Sequence, residues 1–240
     1  MPKTKAIFIS EEIIIDGVDN EKVWGYASKS EKFWQYRPSD SLPAEMQTEF
    51  KFLYNEKSLF LFVKAYSKNK DYVVPSLERD FEGYGTDFFT FTFDTFSDAT
   101  NGFFFGTNPL GIKRESLLSN GASDYRRDSN SSWDTKWEVE TKIYEDYYTA
   151  EIQIPFSSLN FPENKKIQSN ASGIVWITAA DLNCIDRSSG LYRALQSACK
   201  LQHFQNLEVG QRNPYRFKLV MPERALGRLE QNFVDHAESF

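Results

Sequence analysis

The sequence is poor in the residues that carry most enzymatic and metal chemistry. Two histidines and two cysteines in 240 residues leave little material for acid–base work near neutral pH or for a structural zinc site. Cys184 and Cys199 match no zinc-ligand spacing; a disulfide of an exported protein and a pair of free thiols both remain open. There is no Gly-x-Ser-x-Gly elbow, no Gly-rich phosphate loop and no His-Glu-x-x-His helix. Asp and Glu are plentiful, but no pair of them has a context that marks it for glycoside hydrolysis. No catalytic activity is expected from this chain alone.

Long apolar runs are also missing. Nothing approaches the roughly 20 apolar residues of a membrane helix. The N-terminus, MPKTKAIFISEE, is apolar only from Ala6 to Ile9, short of the roughly 7–15-residue core of a signal peptide. A cytoplasmic protein and a chain separated from its leader both fit that observation. The net charge is −6, with acidic and basic residues interspersed, so no basic face is offered to nucleic acid or to an anionic membrane. No run rich in Gly, Pro and Ser divides the chain, and one domain is expected over residues 1–222. Residues 223–240 differ: Leu226, Leu229, Phe233 and Ala237 fall near helical spacing, giving a helical or disordered tail.

What the chain has in quantity is aromatic side chains: 21 Phe, 12 Tyr and 5 Trp. They favour strands and bury large areas. Phe89, Phe91 and Phe93 alternate with Thr90 and Thr92, the period-2 pattern of a strand with one buried face. A polar turn follows, then a second aromatic run from Gly102 to Asn108, then the turn Asn108-Pro109-Leu110-Gly111. Glu49–Asn55 and Ser58–Tyr66 read as a hairpin around Asn55-Glu56-Lys57, and Trp137–Ile143 and Tyr147–Pro155 as another around Glu145-Asp146. SLFLFVKAY and GIVWITAADL are apolar on both faces, as central strands are. IIIDGVDNEKVW reads as a short strand, an Asp-Gly turn and one helical turn that Asp19 is placed to cap. Residues 122–132 read as a polar loop. The pattern predicts an all-β chain, an antiparallel β-sandwich of about 8–10 strands with long loops and a short C-terminal helix.

Two binding chemistries are compatible with the loops. Asp94, Asp98 and Asn101 crowd one turn, and Asp16, Asp19 and Glu21 another; either suits a hard cation such as calcium, and the first is the stronger candidate. Asp and Asn are equally good turn formers, which leaves a purely structural role open. A sugar needs an aromatic face and polar side chains for its hydroxyls. Trp34, Tyr36, Tyr84, Tyr125 and Trp133 fall in loops or at strand mouths, where the core does not already claim them.

Taken in order, IDGVDNEKVW, FWQYRPSDSLPAEMQTEFKFLYNEKSLFLFVKAY, RDFEGYGTDFFTFTFDTFSDATNGFFFGTNPLGIKRE, WDTKWEVETKIYEDYYTAEIQIPFSSLNF and LQHFQNLEVGQRNPY lie within residues 12–217. Together they resemble the carbohydrate-binding module family 9-like domain found N-terminal to outer-membrane β-barrels in bacterial envelope proteins. The resemblance implies a sandwich exported beyond the cytoplasm (periplasmic or outer-membrane-associated) that binds an oligosaccharide or polysaccharide and serves carbohydrate catabolism without catalysis. It places Tyr84 at the first stacking aromatic, Asp87 at the acidic position and Asn108 at the Asn that ends the next strand. Trp34 or Trp133 is then the second platform. The chain departs from the pattern at Thr90, where an acidic residue is expected, and at Gly106, where an Arg is expected; Tyr192 is nearest to the late stacking Trp. These departures keep a second reading open, a structural or interaction domain of an outer-membrane or envelope protein that has lost its sugar site. Some related sandwiches hold haem, for which His203 is the one histidine inside the matched region.

Overall fold

A computed structural model describes residues 3–29, 33, 43–44, 46–67, 70, 72–83, 85–96, 100–122, 125–160, 172–180 and 216–220, with residues 3–5, 125–126, 172–180 and 216–220 described by backbone alone. The strands are β1 (Lys3–Lys5), β2 (Ile7–Phe8), β3 (Thr48–Tyr54), β4 (Ser58–Tyr66), β5 (Phe88–Asp94), β6 (Gly102–Thr107), β7 (Lys113–Leu118), β8 (Ser129–Asn130), β9 (Glu138–Ile143), β10 (Tyr147–Pro155), β11 (Ser172–Ala180) and β12 (Arg216–Val220). They form two sheets, a seven-stranded one in the order β1-β12-β11-β5-β6-β7-β8 and a five-stranded one in the order β2-β3-β4-β10-β9. The expected all-β sandwich is what is observed, antiparallel except where β1 joins β12 and β2 joins β3.

Alternation decides which side chains meet between the sheets. Phe89, Phe91 and Phe93 of β5 and Phe103 and Phe105 of β6 share one core with Phe50, Phe52, Leu59, Leu61, Val63, Ile152 and Ile154 of the facing sheet. The Phe91 and Phe105 rings stack, with centroids 5.5 Å apart and planes 13° from parallel, and Phe93 meets Phe105 edge-on. Both predicted hairpins form with the predicted strands. The strands apolar on both faces are interior ones: β4 lies between β3 and β10, and β11 between β12 and β5.

The outer face of β4 explains its second apolar row. Ile9, Ile13, Val23, Trp24 and Ala27 cover Leu53, Phe60 and Phe62, so the N-terminal segment is a third layer over half of the five-stranded sheet. It is not a strand. Residues 9–20 carry no regular element, and the single helical turn is a 3₁₀ turn at Lys22–Gly25. Asp19 does not cap that turn, whose N-cap is Glu21 without a side-chain cap bond; Asp19 instead pairs with Lys51 at 2.8 Å. The segment's backbone donors are met by side chains. Ile14 N donates to Glu21 Oε1 at 3.1 Å, and Asp16 N and Gly17 N donate to Glu151 Oε2 at 3.0 and 3.1 Å.

Glu151, in the middle of β10, is wholly buried. Its other oxygen accepts the Trp24 indole N–H at 3.0 Å. Glu115 on β7, equally buried, repeats the arrangement on the other sheet: it accepts the Trp137 indole N–H at 3.2 Å and pairs with the Arg79 guanidinium. The adjoining backbone is tied as well, Asp80 N donating to Lys113 O at 2.9 Å and Glu115 N to Asp80 Oδ1 at 3.0 Å. The alternation of KRESLL hides its strand, because a charged residue points inward and apolar ones follow it; residues 113–118 were not expected to pair. The loop expected at 122–132 contains a short helix, α1 (Tyr125–Asp128), and β8. The C-terminal tail, Cys184, Cys199, Tyr192 and His203 lie outside the described residues.

Two measurements test this packing. Phe91→Ala should cost about 3–5 kcal/mol of unfolding free energy, the usual result of emptying a close-packed aromatic site, read by urea denaturation. For Glu151, burial pushes the carboxyl from its ordinary 4.5 up to about 7, against the lowering effect of the Asp16, Trp24 and Gly17 donors and with a further rise from Glu21. The folded chain then holds a proton that the unfolded chain has lost, so this group's contribution is full below the unfolded value and is lost as pH rises through about 7. Unfolding free energy measured from pH 4 upward should carry that falling component, and Glu151→Gln should remove it; an unchanged slope in the variant would refute the assignment.

Candidate sugar-binding face

The outer face of the seven-stranded sheet is set by register. Thr90, Gly106 and Arg114 are partners across β5, β6 and β7, and Thr92, Phe104 and Ser116 form the next row. Their neighbours Phe91 and Phe105 point into the core, so these two rows point away from it. Phe104 belongs to a separate small cluster with Leu118 and Ala122.

Arg114 stands on β7 at the end of the first row. Its guanidinium lies 5.6 Å from the Phe104 ring centroid and 5.9 Å from that of Phe81, a position that suits a planar cation on aromatic faces. Gly83 makes room for the guanidinium, and Gly106 makes room for Thr90. A Cβ on Gly106 would come within 3.1 Å of Thr90 Cγ2 and 3.8 Å of Arg114 Cβ, and one on Gly83 within 2.6 Å of Arg114 Nη1. The Arg that the resemblance places at 106 is therefore absent there, yet an Arg stands directly across the strand pair at 114.

Asn108 ends β6 and is wholly buried. Its Oδ1 accepts the backbone N–H of Leu110 at 3.0 Å and of Ile112 at 3.1 Å, which shapes the turn into β7 together with Gly111 at φ +74°. Its Nδ2 is buried without a partner, and so is Ser116 Oγ. A buried donor left unpaired costs roughly 1–3 kcal/mol, so two of them on adjoining strands are unusual in a settled core. Asp87, also buried, is bound to a neighbouring segment: Val73 N donates to Asp87 Oδ2 at 2.7 Å, and Asp87 N to Val73 O at 2.8 Å.

The other expected residues fall elsewhere. Trp133 is half-buried and packs on Phe103 and Phe105 at centroid distances of 5.4 and 6.0 Å, on the core side of the sheet, so the structure does not bring it to Asn108. Tyr84 and Trp34 lie outside the described residues, as does Asp98 of the calcium candidate. Asp94 is buried and Asn101 exposed. Among the described residues no group of three or more His, Cys, Asp or Glu side chains converges as a metal site would. In the second acidic turn, Asp16 accepts Val18 N at 2.9 Å and Asn20 Nδ2 at 3.3 Å. The residues that sequence reasoning passed over, Arg114 and Ser116, sit on the strand whose alternation was hidden; the readable signal was the turn Asn108–Gly111, which demands a returning strand.

No family model and no curated protein matches the sequence. Solved structures do. A candidate carbohydrate-binding protein of Bacteroides uniformis ATCC 8492 aligns over 91% of this chain and 98% of its own, at 8% identity and TM-score 0.54. The shared property is the fold. Two structures of a carbohydrate-binding module family 9 from Caldicellulosiruptor kristjanssonii also align. The complex with glucose covers 90% of this chain and 95% of that one at 15% identity and TM-score 0.47. The complex with cellotriose covers 79% and 87% at 16% identity and TM-score 0.46.

Asn108 gives a direct check on the geometry. Asn108→Ala should leave the Leu110 and Ile112 N–H groups without their acceptor and lower stability by about 1–3 kcal/mol, visible as an earlier urea midpoint with an unchanged slope.

Proposed function

We propose that this chain is a non-catalytic carbohydrate-binding module whose site lies on the outer face of β5, β6 and β7. The observation that carries the proposal is the pair of buried, unpartnered donors, Ser116 Oγ on the face where the Arg114 guanidinium rests against Phe81 and Phe104, and Asn108 Nδ2 at the end of the neighbouring strand. Sugar hydroxyls and ring oxygens accept hydrogen bonds, which is the chemistry these groups leave unused. A protein of the same fold, from Bacteroides uniformis, carries a description as a candidate carbohydrate-binding protein.

In this reading the aromatic faces of Phe81 and Phe104 hold Arg114 flat, and Arg114 presents N–H donors in a fixed plane. Gly106 lets β6 pack closely beside Thr90, where a larger residue would meet Thr90 itself. Asn108 spends its oxygen on the turn and keeps its amide for a ligand. Tyr84, flanked by Gly83 and Gly85, supplies the stacking ring expected from the resemblance. Export beyond the cytoplasm and a part in carbohydrate catabolism belong to the same proposal and draw on the sequence resemblance alone; a calcium ion at Asp94, Asp98 and Asn101 draws only on the crowding of oxygen ligands in that stretch of sequence.

Isothermal titration against mono- and oligosaccharides tests it. A neutral glycan should bind, and Arg114→Ala should weaken it by roughly 10–100-fold, the range set by losing a hydrogen bond to a charged group at about 1.5–3 kcal/mol. A folded protein that gives no heat with any sugar would refute the proposal.

A further inference from the structure

The outer face of the five-stranded sheet is covered only in part. The N-terminal layer packs on Leu53, Phe60 and Phe62, and past Phe62 the same face turns polar and aromatic. Register puts Glu49, Lys64 and Thr149 in one row across β3, β4 and β10, with Tyr66 beside Tyr147 in the next. A cleft of about 200 Å³ opens there, floored by Phe62, Lys64 and Thr149 and walled by Val18, Asp19, Tyr144 and Tyr147. That volume lies below the roughly 300–1,000 Å³ of sites for drug-sized ligands and suits a single sugar ring.

The charges in the cleft do not cancel. Lys29 pairs with Glu49 at 3.0 Å and Lys51 with Asp19 at 2.8 Å. Lys64 has no such partner: among the described residues no carboxylate lies within ion-pair distance of it. Its ammonium instead sits over rings, 3.9 Å from the centroid of Tyr147 and 5.0 Å from that of Tyr66. Tyr147 stacks in turn on Tyr144, with centroids 4.5 Å apart and planes 23° from parallel. One uncompensated cation beside a stacked aromatic pair, in a space for one ring, complements a ring that carries one negative charge.

We propose that this cleft is a second saccharide site, selective for a uronic-acid residue, with Lys64 meeting the carboxylate and Tyr144, which backs Tyr147, meeting the apolar face of the ring. The proposal rests on the sugar-binding reading of the fold but uses the opposite sheet and none of the same residues. A carboxylate at Lys64 gains a charge-assisted contact without displacing either neighbouring ion pair, whereas a neutral sugar leaves that ammonium as it was. Salt should weaken the interaction, because the cleft is open to solvent.

Titration of the full chain with sodium glucuronate, sodium galacturonate and glucose provides the test. A uronate should bind in preference to glucose, and the preference should shrink with added salt. Lys64→Gln should weaken uronate binding by at least roughly tenfold, Lys64→Arg should restore most of it, and Arg114→Ala should leave it unchanged. Equal binding of glucuronate and glucose, or uronate binding that survives Lys64→Gln or is lost instead in Arg114→Ala, would overturn the assignment. Neutral-glycan binding sensitive to Arg114→Ala with no uronate preference would remove this cleft and spare the first site; no heat from any sugar would remove both.

Discussion

A carboxylate cut off from water must be met by hydrogen-bond donors, and in this protein that requirement joins segments far apart in the chain. Glu151 collects donors from Asp16, Gly17 and Trp24; Glu115 collects them from Arg79 and Trp137. One glutamate stands on each sheet, and each holds a connecting segment against strands that alternation alone would leave half covered. The aromatic core supplies most of the burial between the sheets, but the two carboxylates decide where the covering segments lie. Removing Arg79 would take the counter-charge from buried Glu115, which is far more costly than losing an exposed ion pair, whereas Glu151 would lose hydrogen bonds from neutral donors.

The strands with apolar alternation were legible because alternation has only one physical meaning, a sheet with a buried face. Phe89, Phe91 and Phe93 announce β5, and Tyr148, Ala150, Ile152 and Ile154 announce β10. The double-faced strand SLFLFVKAY was legible as interior, although its second cover turned out to be an irregular segment rather than a helix or sheet. Ile13, Ile14 and Ile15 resemble a strand, but after Ile9, whose N–H still reaches Tyr54 O, the donors of Ile14, Asp16 and Gly17 go to the carboxylates of Glu21 and Glu151. Local capping preference likewise lost to a tertiary partner when Asp19 paired with Lys51.

The candidate site was legible only at its edges. Asn108 was readable as a turn residue at a strand end, and the structure keeps it there with half of its amide committed. Arg114 was not readable, because its strand carries Lys113, Arg114 and Glu115 in succession and shows no apolar period. Gly106 looked like a loss when taken alone. It stands directly across from Arg114, whose guanidinium takes its space from Gly83, and only the cross-strand register shows that positions 106 and 114 belong together. Trp133 shows the opposite failure: its place between strands suggested a ligand platform, and the Phe103 and Phe105 rings claim it.

The irregular N-terminal layer has a consequence for cooperativity. Val18 and Asp19 wall the cleft over the five-stranded sheet, and they directly follow the Asp16–Gly17 pair that Glu151 clamps. Thr149, part of the cleft floor, also bonds to Gly17 O at 2.6 Å. If that layer detaches from β10, the cleft loses a wall in the same event. Occupancy of the cleft and attachment of the layer are thus one linked equilibrium: whatever contacts the wall favours the closed layer, by the difference in its affinity for the closed and open forms.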